Sequence, residues 1–224
     1  MENERQVERM LEEYLERYPE ERPRLERFER FVRSFSGCDL YDRKNFVGHI
    51  TAGAFVVDRR EGKVLLLEHR QLGRWLQPGG HVEPTDASVF AAALREVREE
   101  TGLGPDRLEP LRLSPSGGIV PVDADGHYIP ACERKAEDEH YHFDLRFAFL
   151  FDGDARISID RSESFGFRWV TLAELGAMSD FGRVARKLDA ALALFGIPRG
   201  PEISAGNCLR AGVPVPDCGT PDDE

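Results

Sequence analysis

Gly79-Gly80-His81-Val82-Glu83-Pro84-Thr85-Asp86, running on to Leu94-Arg95-Glu96-Val97-Arg98-Glu99-Glu100-Thr101-Gly102-Leu103, sets a glycine turn in front of a helix with a crowded acidic end. The spacing predicts a helix from about Asp86, whose carboxylate is placed to cap it, to Thr101, where Gly102 stops it. At ~100° per residue Glu96, Glu99 and Glu100 share one face, and Phe90, Leu94 and Val97 form an apolar stripe beside it. Glutamates at i, i+3 and i+4 repel one another, and near a helix C-terminus the backbone dipole makes their charge less favourable still. Three glutamates alone would read as a solvated acidic face. The glycine pair, which lets backbone come close, and Arg95, which can hold carboxylates by paired hydrogen bonds, point instead to a cation site. Hard oxygen donors suit Mg²⁺, or Mn²⁺, rather than zinc.

On the N-terminal side of this segment the periodicity is that of strands. Ile50–Val57 and Val64–His69 read as a hairpin across the polar turn at 58–62, followed by the short run Arg74–Gln77. On the C-terminal side, Arg107–Leu113 and Phe165–Val170 read as strands, and Tyr141–Phe151 alternates with unusual regularity. Tyr141, Phe143, Leu145, Phe147, Phe149 and Phe151 take one face; His140, His142, Asp144 and Arg146 take the other. Helices over Ala173–Leu175 and Gly182–Phe195 close the pattern. Strands and helices in this order predict an α+β fold, an α/β/α sandwich with a mixed sheet between helices.

Before residue 46, Val7, Met10, Leu11, Tyr14, Leu15 and Tyr18 form a stripe that stops at Pro19, and Leu25, Phe28, Val32 and Phe35 form a second. Residues 3–36 therefore read as a helical hairpin, either a packing or homodimerisation element or a lid over a substrate. The expected organisation is 1–45 as this extension, 46–197 as the domain and 198–224, rich in Pro and Gly, as a loose tail.

Composition narrows the function. The 224 residues carry a net charge of −11, which argues against an extended nucleic-acid partner but not against a small anion met through bound cations. No apolar run is long enough to cross a bilayer, and the start Met1-Glu2-Asn3-Glu4-Arg5 lacks the apolar core of a secretory signal, so a cytoplasmic location is expected. Cys38, Cys132, Cys208 and Cys218 show no zinc-binding spacing and read as free thiols.

At residues 95–103 the sequence resembles the Nudix hydrolase family, whose signature is Gly, five residues, Glu, seven residues, then Arg-Glu-apolar-x-Glu-Glu-x-Gly-apolar. The second half matches without a gap. In the first half fourteen residues separate Gly80 from Arg95 where the pattern has thirteen, and the middle glutamate falls on Asp86 or Ala87, with Glu83 able to share its role. The resemblance spans about residues 46–195. It implies that Glu96, Glu99, Glu100 and the Gly79 carbonyl bind divalent ions. A further glutamate before a later strand completes the site or acts as base; Glu163 takes that position, with Glu137 and Glu139 as competitors. It also implies hydrolysis of a diphosphate linkage in a small nucleotide-type substrate, by metal-assisted attack of water at phosphorus. Glu99 or Glu100 is the expected indispensable ligand.

For substrate contacts, His142 and Arg146 on the polar face of the 140–146 strand are the first candidates, because that face should line a cleft rather than be buried dry. His127, in an expected loop, and His49 follow. Arg70, Arg74 and Trp75 form a second group able to stack a base or grip a phosphate. Two other readings compete: a Nudix-like ligand-binding or regulatory domain without turnover, and an isopentenyl-diphosphate isomerase, for which Cys132 lacks an evident partner.

Overall fold

The computed structural model describes residues 2–113, 118–133, 136–153 and 156–199. The N-terminal hairpin is present as α1 (Glu2–Arg17) and α2 (Arg22–Ser34), broken where Pro19 cannot continue the first helix. Strand β1 (His49–Asp58) and strand β2 (Val64–His69) form the expected antiparallel pair. Strand β3 (Arg74–Leu76) pairs with β2, and β4 (Gly79–His81), expected only as a turn, pairs with β1.

The next helix, α3, runs from Val89 to Thr101 and corrects the expected start. Ser88, in extended backbone, is the cap, its hydroxyl accepting the Ala91 N–H at 3.0 Å. Asp86 is taken up by Arg95 instead. Gly102 ends the helix in the left-handed region, φ 72°, where a side chain would be strained.

Strand β5 covers Leu108–Pro110, shorter than the expected Arg107–Leu113. A second correction is β6 (Asp123–Ile129), in place of the loop expected around His127. Asp125-Gly126 reads locally as a turn, but a full antiparallel register with β7 (His140–Phe151), from Asp123↔Arg146 to Ile129↔His140, overrides it. Strand β8 (Ser164–Val170) adds to β2; α4 (Leu172–Ala177) and α5 (Gly182–Leu194) follow.

β1 and β7 are the spine, paired in parallel from His49↔His142 to Asp58↔Phe151, while the other pairings are antiparallel. Parallel strands are stable when covered on both faces, and β1 is buried from His49 to Val57. One apolar core joins α1, α2 and α3 to Phe143, Leu145, Phe147, Phe149 and Phe151. The other joins α4 and α5 to Phe55, Val57, Ala148 and Leu150. The result is the expected mixed sheet between helical layers.

The hairpin belongs to the first core. Phe28 and Phe31 stack on Phe143 at 4.9 and 4.6 Å between ring centres. Lys187 on α5 is buried against Glu21 at 2.7 Å and Asp123 at 2.8 Å, and also bonds the Tyr14 hydroxyl. The stripe expected to offer packing or a dimer surface is thus covered by the chain itself, and no residue of α1 or α2 lines the cleft described below. Among the described residues, no helix is long and apolar enough to cross a membrane, and the thiol of Cys38 is free. Cys208, Cys218 and the tail from residue 200 lie outside the described residues.

Candidate active site

A cleft of about 500 Å³ opens between the end of α3, the turn leading to β4 and the first residues of β1 and β7. The two glycines shape it differently. A Cβ on Gly79 would stand 2.7 Å from the Ala52 carbonyl oxygen, so β4 lies close on β1 only because that position is bare. A Cβ on Gly80 would stand 2.6 Å from Glu96 Oε1, so the second glycine leaves the carboxylate its space.

Arg95 organises the acidic end. Its Nη1 donates to Glu96 and Glu99, both at 2.9 Å, its Nη2 to the His81 carbonyl at 2.8 Å, and its Nε and Nη2 to Asp86 at 3.0–3.3 Å. Burial alone would raise the Asp86 carboxyl; the Arg95 bonds and the Glu83 N–H hold it below the usual range instead. Asp86 is therefore a strut under Arg95 rather than a helix cap.

Glu100 is buried and turns toward β4, accepting the Gly79 N–H at 2.7 Å. Burial, with the charges of Glu96 and Glu163 added, pushes it up to about 8 against that hydrogen bond. Burial likewise pushes Glu96 up to about 7, with Glu99 and Glu163 adding to the rise and Arg95 opposing it. Glu99 is half exposed, and Glu163, just before β8, is exposed at the rim. Glu96, Glu99, Glu100 and Glu163 all line the one cleft. A set of carboxylates short of positive charge, two of them partly protonated at neutral pH, is what a hard divalent cation relieves, so these residues fit such an ion.

The opposite wall is polar as well. His142 and Asp144 line the cleft with Thr51, whose hydroxyl bonds Asp144. Arg146, expected to reach substrate, does not line the cleft: it is buried beside β6, bonded to Asp123 at 3.1 Å and to Asp144, with Asp125 at 3.5 Å. Three carboxylates compensate it where the sequence pattern had suggested an open face. Arg74 pairs with Asp180 and does not line the cleft either. Trp75 packs partly into the second core under the Arg168 guanidinium, 4.3 Å from its ring centre, and Arg70 stacks on Phe165. Glu137 lies 3.8 Å from Arg43 and Glu139 accepts the Tyr128 hydroxyl, so neither faces the acidic end of α3.

His127 and His49 both stand in ring contact with His142, at 5.6 and 4.6 Å. Burial, then the charge of His49, drives the His142 pKa far down. Sequence reasoning did not single out Thr51, His81 or Arg43, all in the lining. Nothing local marks Thr51 or Arg43; His81, directly after the glycine pair, carried a readable signal. Arg43 and Arg95 are the arginines of the lining among the described residues.

Residues 48–192 match the family model for the NUDIX domain. The Nudix hydrolase NudL of Enterobacter sp. (strain 638), described as uncharacterized, is 39% identical over 92 residues, 38% of this chain and 45% of that protein. Its namesake from Escherichia coli O1:K1 / APEC is 37% identical over 83 residues, 29% of this chain and 43% of that protein. The chain spans less than half the length of these curated relatives. Among solved structures, a C. elegans Ap4A hydrolase binary complex aligns with a TM-score of 0.48 at 19% identity, over 64% of this chain and 97% of that one. The E. coli dihydroneopterin triphosphate pyrophosphohydrolase aligns with a TM-score of 0.49 at 16% identity, over 62% and 92%.

Proposed function

This chain belongs to the Nudix family, and from that premise we propose that it is an Mg²⁺-dependent hydrolase of a diphosphate linkage in a small nucleotide-type substrate. The substrate class is a nucleoside diphosphate joined to another group, or a nucleoside triphosphate. The observation that carries the reading is the meeting of Glu96, Glu99, Glu100 and Glu163 in one cleft around an arginine that holds two of them in place.

Glu96, Glu99, Glu100, Glu163 and the Gly79 carbonyl are the groups that would hold Mg²⁺, or Mn²⁺ in its place. When bound, the cation supplies positive charge against the diphosphate and acidity to a nearby water. The chain's own residues divide the rest. Arg95 keeps Glu96 and Glu99 at the cleft wall, and the Gly79 N–H orients Glu100. Glu163, exposed at the rim, takes the proton of the attacking water. Arg43 faces the substrate's phosphates in the place that sequence reasoning gave to Arg74 and Arg146. Catalysis of this kind is mainly electrostatic and positional, so no serine or cysteine nucleophile is required.

The test is a panel of nucleotide sugars, dinucleoside polyphosphates, CDP-alcohols and (d)NTPs incubated with Mg²⁺ and scored for released monophosphate, phosphate and pyrophosphate. Wild type should turn over at least one class, and Glu100→Gln should lose at least ~10²-fold in rate while folding normally. If nothing turns over with any divalent ion, a ligand-binding domain without turnover is the better reading.

A further inference from the structure

Five of the six histidines in the sequence, His49, His81, His127, His140 and His142, are linked by ring contacts at the start of β1 and β7, beside the acidic cleft. We propose that His49, His140 and His142 form a second cation site, separate from the glutamates, for a borderline transition metal of the Zn²⁺ class with its fourth position open to the cleft.

Three observations carry this. First, the ligand atoms already converge: one ring nitrogen from each of the three lies within 4.8 Å of the others, and His140 Nε2 stands 3.2 Å from His142 Nε2. With Zn–N bonds of about 2.0–2.1 Å, neighbouring nitrogens of a tetrahedral site sit roughly 3.3–3.4 Å apart, so that pair is at ligand spacing and His49 needs a small ring shift.

Second, His49 is only 1% exposed, yet neither of its ring nitrogens makes a hydrogen bond of acceptable geometry. Buried polar atoms are rarely left so; the Asn45 backbone acts on one side of the ring, and the other nitrogen calls for a partner that the described residues do not supply.

Third, His140 is prepared as a ligand. Its Nδ1 donates to the Asp138 carbonyl at 2.7 Å, which fixes the tautomer and leaves the Nε2 lone pair aimed into the cluster. Metal-binding imidazoles are held in this way by a hydrogen bond on the far nitrogen.

The frame is rigid. His49 and His142 are direct partners in the parallel β1–β7 register, and His140 lies two residues upstream on the same strand face. The nearby group of Asp125, His127 and Asp144 does not compete, because Arg146 already compensates both aspartates. Imidazole nitrogens select zinc, cobalt, nickel or copper over Mg²⁺, which prefers the carboxylates of α3.

Untagged full-length protein, stripped with a chelator and returned to millimolar Mg²⁺, should be titrated with Co²⁺ and followed by visible absorbance. The expected result is one equivalent with the intense bands of four-coordinate cobalt, no thiolate band in the near ultraviolet, and displacement by Zn²⁺ but not by Mg²⁺. His49→Asn and His140→Asn should each weaken binding by more than about 100-fold, while Glu99→Gln leaves it unchanged. Absence of the band in wild type, its survival in both histidine variants, or its loss in Glu99→Gln would overturn the proposal. If the variants do not fold, nitrogen-15 NMR of the wild-type histidine rings decides. Zn²⁺ should move the His140 Nε2 resonance and leave Nδ1 protonated; no movement refutes the site.

Discussion

Glu100 accepts the Gly79 backbone N–H at 2.7 Å, so the acidic helix and the glycine turn are joined by a hydrogen bond to a carboxylate that burial and its neighbours push up to about 8. Glu96 beside it is pushed up to about 7. In the unfolded chain both ionise near the ordinary value of 4.5. Between those limits the folded state keeps protons that the unfolded state has lost, so stability falls as pH rises. His49, held down to about 4 by burial and by His140, acts in the opposite sense below its ordinary 6.5. The window that isolates the glutamates is therefore pH 6.5 to 8. In chelator-treated protein the urea midpoint should fall across that window, and Glu100→Gln should flatten the slope. Equal midpoints in wild type would contradict the assigned environment.

Arg95→Lys should be far from conservative. One ammonium cannot replace a planar fork that reaches Asp86, Glu96, Glu99 and the His81 carbonyl together. Asp86, buried beneath it, loses its main partner. The expected outcome is a loss of about 3 kcal/mol in urea unfolding, with kcat lowered at least 10-fold. Wild-type values for both would remove Arg95 from its organising role.

Ser88 and Asp86 can be told apart by size of effect. Ser88→Ala removes a helix cap and should cost about 1 kcal/mol. Asp86→Ala should cost more, and should lose most of its effect when Arg95 is already alanine, because the two act as a pair. A double-mutant cycle by chemical denaturation measures this; full additivity would return Asp86 to the capping role.

Lys187→Met strands Glu21 and Asp123, both buried, and loosens the attachment of α1 and α2 to α5. Breaking such a cluster from one side costs about 3–5 kcal/mol. The measurement is equilibrium unfolding in urea, and a change below 1 kcal/mol would show that Arg24 and Tyr14 hold the carboxylates without it.

What could be read from the chain alone was what local periodicity carries. The glutamates of α3 share a face because i, i+3 and i+4 spacing is a property of any helix, and β7 announced itself by alternation. Long-range pairing carries no such mark. β6 was hidden because Asp125-Gly126 resembles a turn until the partner strand is known. Arg146 sat in a polar half-strand that looked continuous, and only the pairing of β6 brings Asp123 and Asp125 to take up its charge, while His142 and Asp144 line the cleft. His49 looked isolated, because nothing near residue 49 reveals that its parallel neighbour, His142, lies 93 residues on. Asp86 and Ser88 both suit a helix start; the choice fell to Ser88 once Arg95 claimed the aspartate.

The stacking of Phe28 and Phe31 on Phe143 ties the leading helices to the sheet. A shorter ancestor beginning near residue 46 would have shown bare aromatic rings to water, inviting self-association. The two leading helices and the apolar wall they shelter therefore form one unit of packing. Grafting them onto a relative without that wall should bring no benefit.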